Sequence, residues 1–508
     1  MRGKTVKTRN LFPWMTIAIL FAGGAVVRAQ EAAPAASATS VVPVTTQSTL
    51  AANAYEMGLV QREDRLFVDE GLEFFRQAVK ADPQFALGHA ALGYFTADPK
   101  EAKDESALAL KYIANAAPDE QLLIHWMNDT KNGETVEAIS AMNDLLAKYP
   151  TDKRLGNMAA EWLCANQGAF EHGEAILVRL LKYDPHYYPA MNNLAYCYAL
   201  SGQPQLAPPL MEQYVAALPN EPNPQDSYGE IMRMLGDYPA ALEHYNNALK
   251  INPNFNASQV GVASTYALMG DEAKARAQYL VAIRGTKERS TQINYRILLA
   301  MTYYRENKPR LAREAFEKVD AEAHAAGLTV QEAEIHRAMA LFNPDAASAL
   351  KDLDDAREDL SDTRKSNLLP GDRENELALI LQARALIAVK AGKIDAAQAT
   401  VKLLENMAQT NRSTPVQAAY HSANGALLYA QGDYAGAIAE LQEDPYNPLS
   451  LQLLTEAQVK AGQTAEARKT LETLAAISDE RVETAVAAPP ARVALKHDAT
   501  HPVQGGAN

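Results

Sequence analysis

Four glycines recur at one interval: Gly168, Gly202, Gly236 and Gly270 are each 34 residues apart. A period in this range marks a chain built from repeated supersecondary units, and it constrains the fold more than any local propensity does. Other rows line up once each unit is written with this glycine at the same place. Further along stand Gly173, Ala207, Ala241 and Ala275, and before it, in the later three units, Ala195, Gly229 and Ala263. Tyr245 and Tyr279 share a row, and Pro185, Pro219 and Pro253 close units.

Each row has a physical reason. The periodic glycine sits where one helix stops and the chain reverses, a place for left-handed backbone angles. Asp237 and Asp271 beside it are suited to accept from the free amides that open the next helix. Ala241, Tyr245 and Ala248 fall on one helical face. The small residues let two antiparallel helices approach closely while Tyr245 fills the space beside them. Pro253 ends the second helix, because proline lacks the donor and clashes with the preceding turn. No alternating Val/Ile/Thr run of strand length occurs, so the chain reads as all-α.

The pattern resembles the tetratricopeptide repeat, a helix-turn-helix unit. Leu194, Ala195, Tyr198, Gly202 and Ala207 carry the match in one unit. Tyr228, Gly229, Gly236, Tyr238, Ala241, Tyr245, Ala248 and Pro253 carry it in the next, and Tyr266, Gly270, Ala275, Tyr279 and Ala282 in a third. Weaker traces, such as Ala138, Ala312, Ala397, Ala437 and Ala467, suggest roughly eleven or twelve units between residues 55 and 478. The resemblance implies a right-handed α-solenoid of stacked helix pairs. Such a chain escapes the size limit of a single core, because each repeat packs only on its neighbours.

The first 29 residues are of another kind. Arg2, Lys4, Lys7 and Arg9 precede the apolar run LFPWMTIAILFAGGAVV, and Val27-Arg28-Ala29 offers the small residues that a signal peptidase reads. The expectation is a secretory signal cleaved after Ala29, giving a periplasmic or extracellular protein. An uncleaved membrane anchor is the alternative, for which the run is barely long enough and is broken by Pro13 and Gly23-Gly24. Nothing else in the chain is apolar enough to span a bilayer. Cleavage removes five basic residues and no acidic one, taking the net charge from −14 to −19. So acidic a chain disfavours nucleic acid as a partner. Cys164 and Cys197 occupy near-equivalent places in adjacent units; spacing alone leaves open whether they pair or stand apart.

Composition divides the remainder. Residues 30–50, rich in Ala, Ser, Thr and Pro with almost no charge, read as a flexible leader. Repeats are expected over 51–350 and 377–478, with an irregular charged connector over 351–376 around Leu369-Pro370-Gly371. Residues 479–508 read as a disordered tail, in which His497 and His501 are not expected to bind metal.

No HExxH, Cys-x-x-Cys, Gly-rich phosphate loop or Gly-x-Ser-x-Gly elbow is present, so neither catalytic residues nor cofactor or metal ligands are expected. The resemblance instead implies binding, with the first helix of each pair lining an inner groove. Carried over position by position, the groove candidates are Trp162, Asn166, Asn192, Asn193, Tyr196, Leu200, Asp226, Glu230, Arg233, Met301, Tyr304 and Arg305. Aromatic, amide and mixed-charge groups suit an extended peptide. The subclass that clamps a C-terminal carboxylate wants lysine where this chain has Asn192 or Asp226, and asparagine where the following units have Ser227 or Gly261, so the chain departs from it. The expected function is an exported, non-catalytic scaffold or adaptor for protein segments, in an envelope assembly or secretion system. The alternative is a regulatory or substrate-presenting subunit of an extracytoplasmic enzyme. Oligomeric state is left open.

Overall fold

The computed structural model describes residues 41–361 and 368–500. Among them, every regular element is helical: twelve antiparallel pairs and a closing helix, Val482–Thr500, form a right-handed α-solenoid. The sixth pair, Pro222–Met234 and Tyr238–Ile251, shows how the repeat works. Gly236 adopts φ 78° and turns the chain, and a Cβ there would meet nothing within 4 Å, so backbone conformation alone demands glycine. Asp237 then caps the second helix by accepting from the Ala240 amide at 3.2 Å. Ala241, Tyr245 and Ala248 are buried against the partner helix. A Cβ at Gly229 would lie 2.9 Å from Tyr245 Cδ1, and one at Gly261 in the seventh pair would lie 2.3 Å from Cε1 and Cζ of the same ring. Tyr245 therefore occupies a slot cut by two glycines, one from its own pair and one from the next.

Apolar clusters follow one another along the chain, as stacking of neighbours requires. Pairs far apart in sequence also touch. Gly133, at the turn of the third pair (Pro118–Asn132 and Thr135–Lys148), meets Gly371 at the start of the tenth (Pro370–Lys390 and Ile394–Thr410). The Thr414 hydroxyl, opening the eleventh pair, donates to the Gln167 carbonyl in the fourth at 3.0 Å. Arg76 in the first pair meets Glu288, the cap of the eighth, at 3.3 Å. Each contact joins a pair to the one seven further on, so successive turns of the superhelix rest on each other.

Three boundary expectations are corrected. Residues 41–48 of the expected leader are extended and docked: Val42 is buried, and its amide donates to Asp152 Oδ2 at 2.9 Å. Thr49–Leu59, read as the leader's end and the array's start, is helical. Low charge suggested freedom, but carboxylates on the first repeats satisfy this backbone. The expected connector is mostly repeat. Ala346–Ser361 buries Leu350, Leu353, Ala356 and Leu360, and Pro370–Lys390 begins the next pair, so the helical spacing of apolar residues prevails over the charge around them. Part of the expected tail is the helix Val482–Thr500, which runs through Pro489 and Pro490. Packing of Ala487, Ala488 and Ala491 overrides their poor propensity. The expected signal segment, residues 30–40 of the leader, and residues 501–508 of the tail lie outside the described residues. No helix among the described residues is long and apolar enough to cross a membrane.

Candidate functional site

The face formed by the first helices carries a chain of polar contacts from repeat to repeat. Asn193 Nδ2 donates to Asn157 Oδ1 at 3.0 Å, linking the fifth pair to the fourth. The Tyr196 hydroxyl donates to Glu230 Oε2 at 2.9 Å, linking the fifth to the sixth. Asp226 accepts from the Ser258 hydroxyl at 2.6 Å in the seventh. Burial pushes the Asp226 carboxyl up to about 7, with the Glu230 charge adding to the rise and Ser258 opposing it. Arg233 pairs with Glu230 at 3.0 Å and reaches the Tyr245 hydroxyl at 3.4 Å. Five of the expected groove residues thus bond to neighbours within the array, Tyr196, Glu230 and Arg233 in one chain and Asn193 and Asp226 in separate links, with Asp226 and Arg233 buried.

Others are placed differently. Trp162 is buried edge-to-face against Trp126, and Met301 lies in the core beneath the eighth pair. Tyr304 stacks on Phe342 with ring centroids 4.0 Å apart. These three serve packing, because a large apolar side chain at a groove position is drawn into the seam between neighbouring repeats. Asn166 and Leu200 are exposed where their helices end, Arg305 is half-buried, and Asn192 is half-buried with its side-chain oxygen unpartnered. Cys164 and Cys197 are joined by a disulfide, with Cα atoms 5.5 Å apart.

Sequence reasoning missed two parts of this face. In the ninth pair, Thr329–Phe342 and Ala346–Ser361, the buried Arg337 donates to Glu376 Oε1 at 2.8 Å and is paired with Glu483. Glu334 stands by this group, and burial together with the Glu376 charge pushes it up to about 7. The helical spacing of Glu334 and Arg337 was readable, but the repeat glycine is absent after this helix, so no register pointed to them.

The second part is the docked segment 41–48. Beyond the Val42 contact, the Thr45 amide donates to Glu120 Oε1 at 3.1 Å, and the Thr46 hydroxyl to Asp82 Oδ2 at 2.5 Å. Asp82 caps the end of Val68–Ala81, while Glu120 and Asp152 stand at the starts of later first helices, so one extended segment is read by carboxylates from three repeats. Beside it lies a cavity of about 360 Å³, lined by Tyr55, Leu87, Leu123 and Met158, with Arg154 and Glu63 at its polar end. Burial pushes Glu63 up to about 8. Among the described residues, no three His, Cys, Asp or Glu side chains converge as metal ligands would. What the face can do chemically is hold an extended backbone with carboxylates and meet its side chains with aromatic, amide and guanidinium groups.

Comparison with known proteins adds family matches along the same array. The tetratricopeptide repeat family matches at residues 165–222, 225–255, 382–448 and 428–488. No curated protein matches the sequence. Among solved structures, yeast Tom70 is 15% identical with a TM-score of 0.41, covering 82% of this chain and 96% of its own. A tetratricopeptide repeat protein from Parabacteroides merdae is 17% identical with a TM-score of 0.36, covering 52% of this chain and 98% of its own. A thermophilic protein of the same kind from Thermus thermophilus is 21% identical with a TM-score of 0.30, covering 34% and 91%.

Proposed function

We propose that this chain, which is a tetratricopeptide repeat protein, is an exported, non-catalytic scaffold that holds extended segments of other proteins against its first-helix face, within an envelope assembly or secretion system. One observation supports the binding mode above the rest. The face already holds an extended segment, residues 42–46, by carboxylates that accept from backbone amides and from a threonine hydroxyl. Recognition of that kind reads backbone first and side chains second, which suits a protein serving more than one sequence. The basic start and apolar run before Ala29 support export.

Crosslinking of the native protein, followed by identification of what is attached, tests the reading. A dominant envelope protein, reduced when Asn193 and Tyr196 are both changed to Ala, is the expected result. Recovery of no protein partner would overturn it. Mass spectrometry of the mature chain is expected to find Gln30 at its N-terminus, and an intact Met1 would return the anchor alternative.

A further inference from the structure

The first-helix face of the sixth to ninth pairs is occupied, and the occupant is the chain's own C-terminal segment. Ser478 shares a hydrogen bond of 3.0 Å with the Tyr238 hydroxyl, and Glu480 pairs with the buried Arg233 at 2.8 Å. Val482 enters the apolar cluster of the eighth and ninth pairs, beside Ile335 and Met339. Glu483 pairs with Arg337 from the side opposite Glu376. Arg481 points the other way and donates to the Tyr446 carbonyl at 3.1 Å. Within four residues the segment thus presents a carboxylate, an aliphatic side chain and a second carboxylate to two guanidinium groups and a hydrophobic seat between them.

Its attachments are of a kind that can be exchanged. Each guanidinium keeps a carboxylate of its own when the segment leaves, Glu230 for Arg233 and Glu376 for Arg337, so release strands no buried cation. Three carboxylates, Glu334, Glu376 and Glu483, crowd the single Arg337 cation, and like charges at such range oppose one another. The helix that follows is anchored by small residues, Ala487, Ala488 and Ala491, and by Arg492 donating to the Ala475 and Ile477 carbonyls at 3.0 and 2.6 Å. Alanine seats bury little area, and two internal prolines remove helical donors.

We infer that residues 478–483, a stretch that runs into the first turn of the closing helix, are a resident pseudo-ligand, and that the partner displacing them is a protein segment with two acidic residues flanking an aliphatic one. This inference rests on the reading of the face as a protein-segment site.

The test uses the full chain and its E480Q/E483Q variant, with a fluorescent peptide of residues 477–486 as probe. Amide exchange over 477–486 is expected to be more than about tenfold faster in the variant, because two charge-assisted contacts are lost. The peptide is expected to bind the variant more than about tenfold more tightly than the wild type. A peptide with both glutamates changed to glutamine is expected not to bind, a control that leaves the protein's folding untouched. Unchanged exchange, equal binding to both proteins, or no binding to a variant of wild-type melting temperature would each overturn the inference. Partner capture separates the two readings. A partner crosslinked equally by both proteins would overturn the inference and leave the proposed function standing. Peptide binding to the variant with no partner captured by either would sustain the pseudo-ligand site and overturn the proposed function.

Discussion

Tyr245 shows how much one residue commits a repeat to its neighbours. Its ring is held between Gly229 and Gly261 and its hydroxyl reaches Arg233, so it cannot retreat from an added methyl. Gly261→Ala is therefore expected to cost about 1–3 kcal/mol by overpacking. Gly236→Ala, where no atom is near but φ is 78°, is expected to cost about 1–2 kcal/mol by backbone strain alone. Hydrogen exchange separates the two mechanisms: Gly261→Ala loosens both the sixth and seventh pairs, whereas Gly236→Ala loosens the sixth first. Equal loosening by both would show that Tyr245 does not couple the pairs. The sequence rows revealed that small residues make room for Tyr245, because Gly229 and Ala241 recur in register. They did not reveal Gly261 as the far wall, because that residue belongs to the next unit and only stacking brings it near. For the same reason Asn193, Tyr196 and Glu230 were legible as groove positions, while the bond from Tyr196 to Glu230 and the part of Asn157 as partner of Asn193 were not.

At the level of the element, regularity decided what could be read. The fifth to seventh pairs keep the glycine interval, and their turns stand where the sequence put them, with φ of 79°, 78° and 82° at Gly202, Gly236 and Gly270. From the eighth pair on, helices lengthen, to 17 residues for Arg289–Arg305 and 21 for Pro370–Lys390, and the interval is lost. The charged stretch after Lys351 then read as a connector, because charge is conspicuous on the exposed face of a helix whose apolar stripe is only Leu350, Leu353, Ala356 and Leu360. The docked segment 41–48 was illegible for another reason: its order comes from Asp82, Glu120 and Asp152, all distant in sequence. The disulfide between Cys164 and Cys197 also acts at this scale, joining the first helices of the fourth and fifth pairs across a separation of 33 residues. Closing a loop of that length restricts the unfolded chain by about 3–4 kcal/mol. Reductant is expected to lower the melting temperature and to raise hydrogen exchange first in those two pairs, while the unreduced protein shows no free thiol by mass spectrometry. Two free thiols in the unreduced chain would overturn that expectation.

The whole molecule adds a level that no single repeat contains, the contact of one superhelical turn with the next. A Cβ at Gly371 would stand 2.6 Å from the Lys131 carbonyl oxygen and 2.8 Å from the Gly133 nitrogen, backbone atoms that cannot yield singly. Alanine otherwise favours a helix, so Gly371→Ala is expected to leave helicity unchanged while parting the turns, seen as a larger radius of gyration in solution scattering. An unchanged radius would place the turns apart already. Packing the turns also buries acids. Burial pushes Asp129, Asp226, Glu272 and Glu334 up to about 7, Asp444 to about 6 and Glu63 to about 8. A carboxyl raised on folding favours the neutral form, so its stabilising contribution is complete below its unfolded pKa of about 4 and is lost as pH rises through the folded value. Asp119, held down by Lys148, and Asp184, held down by Lys153, act oppositely and lose their contribution only as pH falls through about 4. The melting temperature is therefore expected to peak near pH 4 and to fall between pH 4 and 8. Asp226→Asn isolates one contributor, because the amide oxygen still accepts from the Ser258 hydroxyl while the titration is removed. Wild type and variant should melt alike below about pH 4, and the variant should be more stable at pH 8, by an amount of order 1 kcal/mol for each unit of the shift that the buried site imposes. A variant less stable than the wild type at pH 8 would mean that folding lowers the Asp226 pKa below its unfolded value, the carboxylate being held by Arg233, which would reverse the sign of its part in the pH dependence.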